Sequence, residues 1–178
     1  MSDIILAQEY FDVKGACIEV HKRLGCGFLE KVYQDALEIE LKLRGIPYER
    51  EKRIVIEYKG YTIDHDYIAD FICYGSLIVE LKAVRELHDV HKAQVMNYLR
   101  ATQLPVGMLV NFGEKSLNDQ RLVNWSSPMI WYVLSRRNNE LNEFTNYFLC
   151  GIKTYLVVMK KFVNSFNSLL PRLSETWP

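Results

Sequence analysis

Tyr67-Ile-Ala-Asp70-Phe-Ile-Cys-Tyr-Gly75-Ser-Leu-Ile-Val-Glu80-Leu-Lys82-Ala83 reads as two apolar runs, rich in β-branched and aromatic residues, on either side of a Gly-Ser turn signal. That is the pattern of a β-hairpin. Three charges interrupt it. Strand side chains alternate between faces, so Glu80 and Lys82 project from one face and Leu81 points the other way. Hairpin pairing brings Asp70 alongside Glu80. Two carboxylates and an ammonium then share one patch of an otherwise apolar sheet, where a charge is costly to bury unless it is paired or holds a metal.

The grouping suits an oxygen-only site for Mg²⁺ or Mn²⁺, built from the carboxylates of Asp70 and Glu80 and the backbone carbonyl of Leu81. An ion there lowers the pKa of a bound water and neutralises charge on phosphorus oxygens during phosphodiester cleavage. Lys82 is placed to orient that water, to stabilise the same charge, or to act as a base if its own pKa is depressed. The bland alternative is an ion pair on a half-exposed sheet, a pattern that short motifs match by chance.

The bulk properties bound the answer. The chain has 178 residues, 49% of them hydrophobic and 25% charged, so it reads as a globular protein able to bury a proper core. Lys plus Arg equal Asp plus Glu at 22 each. Nucleic-acid binding therefore has to come from a local patch and not from a global field. Cys17, Cys26, Cys73 and Cys150 form no C-x-x-C pair, and Cys17 and Cys73 lie in apolar runs, as reduced thiols of a cytoplasmic protein do. Neither a signal peptide nor a bilayer-length apolar stretch is evident.

Outward from the hairpin, Phe11, Val13, Ala16, Cys17, Val20 and Leu24 recur at helical spacing and predict an amphipathic helix over residues 9–24, ended by Gly25-Cys26-Gly27. A second helix is predicted over 28–44, with Val32, Tyr33, Ala36, Leu37 and Leu41 inward and Gly45 as its C-terminal cap. Glu30 and Tyr33 share a face in its first turn. Glu30 is read either as an acid favoured by the helix N-terminus or as a further ligand of the metal site. Gly27 offers close backbone approach or a turn with positive φ.

Residues 47–58 read as one strand, with Ile54 and Ile56 among its buried positions. Lys59-Gly60 turns it into 61–63, and Asp64-His65-Asp66 reads as a solvated loop, not a metal cluster. After Lys82, Asp89 is a plausible N-cap for a helix through Arg100, with Ala93, Met96, Leu99 and, as a further candidate, Val95 inward. Gln94 and Tyr98 stand one turn apart with His91 close by, a boundary stripe or a set of substrate contacts, and Lys92 and Arg100 add local positive charge. Residues 106–112 form a short apolar run suited to a central parallel strand reached by a βαβ crossover.

Taken together, Gly27-x-x-Glu30-x-x-Tyr33, Asp70, Glu80-x-Lys82, Gln94-x-x-x-Tyr98 and Val106-Gly-Met-Leu-Val-Asn-Phe-Gly113 resemble the small GxxExxY proteins, a branch of the PD-(D/E)xK nuclease superfamily, over residues 12–124. Ala69 stands where the superfamily name has proline. The resemblance implies an α/β fold with a restriction-endonuclease-like core, a mixed β-sheet flanked by helices, over residues 1–124. It implies a nuclease using Mg²⁺ or Mn²⁺, with Glu30, Asp70, Glu80 and Leu81 at the metal and Lys82 serving the attacking water. Gln94 and Tyr98 match a QxxxY motif of exonuclease-like branches and, with Tyr33, Lys92 and Arg100, are expected to meet the substrate. DNA is the expected substrate and RNA the alternative, with a protein partner supplying affinity that the neutral chain lacks. A catalytically silent nucleic-acid-binding or assembly module is the rival reading, since fold does not fix function.

Residues 125–178 fall outside the resemblance. Trp131-Tyr132-Val133-Leu134 reads as a strand and Arg136-Arg137 as a phosphate contact or a solvated turn. Phe148, Ile152, Tyr155, Met159, Phe162, Phe166 and Leu169 recur at alternating four- and three-residue steps. They predict a C-terminal amphipathic helix that packs on the core or forms a homodimer.

Overall fold

A computed structural model describes residues 5–65 and 67–130. Two helices, α1 (Ala7–Leu24) and α2 (Glu30–Leu43), precede β1 (Tyr48–Arg53), β2 (Ile56–Tyr58), β3 (Tyr61–Ile63), β4 (Ile68–Cys73) and β5 (Leu77–Lys82). Then come α3 (Asp89–Thr102), β6 (Val106–Asn111) and β7 (Asn118–Val123). Five strands form one sheet in the order β1-β4-β5-β6-β7, and β2 and β3 pair apart from it. The β5–β6 pair is parallel and the others are antiparallel, so the sheet is mixed as expected. One core packs α1 and α2 on Phe71, Leu77, Val79, Leu81 and Met108. A second packs α3 on Ile72, Ile78 and Leu109. Helices therefore cover both faces, and burying each such Leu, Ile or Phe contributes about 1.5–3 kcal/mol.

The inward stripe of α1 is Tyr10, Val13, Ala16, Cys17 and Val20. Phe11, expected inside, is 64% exposed because it lies a third of a turn off that stripe, and Tyr10 takes the inward place with its hydroxyl donating to Asp119 at 2.8 Å. In α2, Tyr33, Leu37 and Leu41 are fully buried, whereas Val32 is exposed for the same angular reason. Gly45, at φ 67°, ends α2: its amide donates to the Lys42 carbonyl and that of Ile46 to the Leu41 carbonyl. This double bond closes the helix as the sequence predicts.

The single strand expected over 47–58 is cut in two. The Ile54 amide donates to the Tyr67 carbonyl at 2.7 Å and its side chain is buried against the second core, after which the chain leaves the sheet for the β2–β3 hairpin. Strand β7 had no apolar alternation to announce it. All six of its residues are half-buried, and it is tied down through side chains, Asp119 to Tyr10 and Lys14 and Arg121 to the Ile5 carbonyl. Helix α3 is capped by His88, not Asp89. His91 Nδ1 accepts from the His88 amide and the His88 side chain accepts from the His91 amide, and this reciprocal pair leaves Asp89 in the first turn beside Lys92. Ala93 faces outward, and Val95, Tyr98 and Leu99 face inward.

Packing continues past Asn124, whose buried amide donates to the Leu99 and Leu104 carbonyls, and Ile130 joins the first core. The strand read at 131–134, Arg136-Arg137, Cys150 and the C-terminal helix lie outside the described residues. Cys17 and Cys73 are buried free thiols and Cys26 is an exposed one. Among the described residues no helix is long and apolar enough to cross a membrane.

The end of β6 anchors the segment that leaves Lys82. Buried Asn111 accepts from the amides of Val84 and Gly113 and donates to the Val84 carbonyl. A Cβ on Gly113 would collide with the Val84 carbonyl and lie 2.6 Å from its amide nitrogen, backbone atoms that cannot step aside. Gly113→Ala is expected to lose about 2–4 kcal/mol of stability. Urea denaturation showing a loss below about half a kcal/mol would mean the contact at Val84 is looser than described.

Candidate functional site

Asp70 sits where the sheet opens. The β1–β4 ladder pairs Arg50 with Phe71 and Lys52 with Ala69 but skips the level between, where Glu51 has a φ of 50°. The β4–β5 ladder stops at Phe71 and Val79, one step before Asp70 would face Glu80. In place of a backbone partner, Asp70 Oδ2 accepts the Leu81 amide hydrogen at 2.7 Å. A strand residue's N–H and C=O point to the same side, so the Leu81 carbonyl faces the same opening. The Lys82 carbonyl points to the other side, accepting from the Phe112 amide at 2.7 Å.

Glu80 and Lys82 share the α3 face of β5, as the alternation predicts. Lys82 Nζ donates to Glu80 Oε1 at 2.6 Å. Glu80 is 3% exposed, and its other oxygen, Oε2, is buried without a hydrogen-bond partner. Burial, then the neighbouring Asp70 charge, pushes the Glu80 carboxyl up to about 7. Asp70 is also raised, by burial against the opposing pull of the Leu81 amide and Lys82. Burial alone would pull Lys82 down, but Glu80 and then Glu30 and Asp70 outweigh it, and the ammonium sits above its ordinary value. In the metal-free site these carboxylates therefore favour the charged form of Lys82, which is the opposite of the depressed pKa that a base would need.

The outer members follow from α2 and α3. Glu30 opens α2 as an exposed first-turn acid, close enough for its charge to act on Asp70, Glu80 and Lys82. Tyr33 was expected at the substrate but has no exposed surface. Its ring stacks on Phe112 at 4.7 Å, and its hydroxyl donates to the Gly25 carbonyl and accepts from the Phe28 amide. It holds the loop that delivers Glu30. Gly27, at φ 113° with open space around a Cβ position, serves the turn and not a close approach. Gln94 donates to the Tyr98 hydroxyl at 2.8 Å. Burial raises the Tyr98 phenol, with Glu80 among the charges acting on it. Lys92 is paired with Asp89 at 3.0 Å, and exposed Arg100 lines a groove with Ile56 and Tyr67. His91 feels Lys82 and Glu30, and its imidazole is lowered by burial and then by Lys82.

Gln34 was missed. This buried α2 residue donates from Nε2 to Asp70 Oδ1 at 3.3 Å, while its Oε1 accepts from Lys31 and from Arg50. Arg50 is in turn clamped by Asp35 and Glu38. A chain of polar contacts thus fixes the rotamer of Asp70. The available signal was spacing, since Gln34 lies four residues after Glu30 on one helical face.

A mixed sheet with helices on both faces, opened beside a buried Glu and a half-buried Asp and Lys, defines a restriction-endonuclease-like fold. The family model of the PD-(D/E)XK nuclease superfamily matches residues 7–122, and the chain belongs to that superfamily. The solved structure of SSO0001 is similar to it at 20% identity, with a TM-score of 0.46, over 73% of this chain and 65% of that one. No curated protein matches the chain.

Among the described residues no three His, Cys, Asp or Glu side chains stand close enough to hold an ion by themselves. The donor set that does fit a hard divalent cation is Asp70, Glu80 and the Leu81 carbonyl, because Glu80 Oε2 lacks a partner and the two acids repel each other. Glu80's folded pKa lies above its ordinary 4.5. Its ionised form therefore destabilises the metal-free fold above about pH 7, and the penalty fades as pH falls toward about 4.5. Glu80→Gln is expected to be more stable than the parent in EDTA near pH 8 by about 1–3 kcal/mol, with the gap narrowing near pH 5. Thermal melts showing the variant less stable near pH 8 would contradict this.

Proposed function

We propose that the chain is a metal-dependent nuclease of the GxxExxY branch that hydrolyses phosphodiester bonds in DNA. The observation that carries the reading is the partnerless, buried Oε2 of Glu80 beside Asp70. A carboxylate left in this state at neutral pH is expensive, and a site kept so is of use to a cation. Asp70, Glu80 and the Leu81 carbonyl would hold Mg²⁺ or Mn²⁺, which when bound supplies a water of lowered pKa and neutralises phosphoryl charge.

The remaining work falls to the chain's own groups. Lys82, a fixed ammonium 2.6 Å from Glu80, stabilises negative charge on the phosphoryl oxygens and orients the attacking water by donation. Glu30, exposed at the first turn of α2, holds a water at the outer edge of the site. The Tyr98 hydroxyl, on a ring only 3% exposed, accepts from Gln94 and so holds that amide at the margin of the site. Gln34 keeps Asp70 aimed while charges change around it.

Cleavage of linear and circular, single- and double-stranded DNA is expected with Mg²⁺ or Mn²⁺. It should fall at least about a thousandfold in both Glu80→Ala and Lys82→Ala, and activity on circles would show that no end is needed. Folded parent protein that cuts no better than the two variants would shift the assignment to a silent nucleic-acid-binding module.

A further inference from the structure

The β2–β3 hairpin stands outside the five-stranded sheet, and nothing in the catalytic reading uses it. Its register pairs Ile56 with Ile63, Glu57 with Thr62 and Tyr58 with Tyr61. Directly opposed residues share a face, so Ile56, Ile63, Tyr58 and Tyr61 form one side, and exposed Glu57 and Thr62 form the other. The turn is rigid in type, since Lys59 and Gly60 both have positive φ (50° and 83°), the geometry of a tight two-residue hairpin. At this tip Tyr61 is 78% exposed and Tyr58 61%, with Lys59 Nζ 5.4 Å from the Tyr58 ring centroid. Two aromatic rings and a cation are held out together.

The base of the same face leads toward the carboxylates. Ile56 lines a groove with Tyr67 and with Asn97, Arg100 and Ala101 of α3. Tyr67 meets the Tyr98 ring edge-on at 5.9 Å, and Tyr98 takes the Gln94 hydrogen bond at the margin of the site. Through Ile56 the hairpin's exposed face adjoins the groove along α3. Together they carry π-faces, two cations (Lys59 and Arg100) and an amide at Asn97, while Glu57 is on the opposite face.

We propose that this face is a stacking platform for unpaired bases of a nucleic-acid strand entering the site. The inference rests on the nuclease reading and adds the substrate class, single-stranded or frayed nucleic acid. Exposed rings beside scattered cations bind bases by stacking and backbone by charge, whereas a duplex keeps its base faces within its own stack. With 22 basic and 22 acidic residues, the chain has no net field that attracts phosphate, and affinity rests on local contacts. Stacking supplies what the net charge does not.

The test is fluorescence anisotropy of the full chain, with Ca²⁺ present, on a labelled oligothymidylate and on a duplex of equal length. Tyr58→Ala/Tyr61→Ala is expected to weaken single-strand binding about tenfold or more and to leave duplex binding and Mn²⁺ binding unchanged. Tyr58→Phe/Tyr61→Phe, which keeps the π-faces, should stay within about twofold of the parent. Unchanged single-strand binding in the alanine variant, or an equal loss on duplex, overturns the platform. So does light scattering that shows the alanine variant merely dissociating a dimer, which assigns the face to a second copy of the chain. If Mn²⁺ binding and cleavage persist while the hairpin variants bind normally, only this inference falls. If the parent binds no nucleic acid at all, the nuclease reading falls with it.

Discussion

The hydrogen bond from the Leu81 amide to Asp70 replaces a ladder bond at the level where β4 and β5 part. Without it, a buried backbone donor in the middle of the sheet would lose its partner, at about 1–3 kcal/mol. With it, the strands can separate without leaving that amide unsatisfied, and the gap exposes a backbone carbonyl and two carboxylates to one another. Gln34 and Arg50 hold the acceptor side, while Asn111 and Gly113 hold the chain that leaves Lys82. The fold is organised to keep one small opening in an otherwise closed sheet.

The same opening sets the electrostatics. Glu80 is buried between an acid and an ammonium, and its single good bond to Lys82 leaves Oε2 without a partner. Ionising Glu80 there costs the metal-free fold stability, which is why its presence points to use and not to stability. Lys82, raised and not lowered, narrows the chemistry open to it. In the proposed reaction that direction suits a donor and a positive charge better than a base.

Much of this was legible in residues 67–83. Period-two alternation placed Glu80 and Lys82 together, and the turn between the runs is tight, with positive φ at Tyr74 and Gly75. Helical stripes found α1, α2 and α3, and the apolar run 106–112 found the parallel strand. The misses share a cause, since pattern reading sees apolar periodicity and overlooks polar residues recruited by tertiary contact. Gln34 is buried by what it bonds, β7 is held by side chains of Asp119 and Arg121, and His88 caps α3 through a partner three residues on. Tyr33 erred in the opposite direction. It shares a motif with Glu30, but its ring was needed between Phe112 and the Gly25 loop, so the motif residue is structural.

The central claim is that Asp70 and Glu80 form a divalent-cation site completed by the Leu81 carbonyl. Calorimetric titration of the parent, Asp70→Asn and Glu80→Gln with Mn²⁺ tests it without reference to any substrate. Saturable binding to the parent that is lost or weakened about a hundredfold in both variants is the expected result. A parent that binds no Mn²⁺, or variants that bind it as tightly as the parent, would contradict the account.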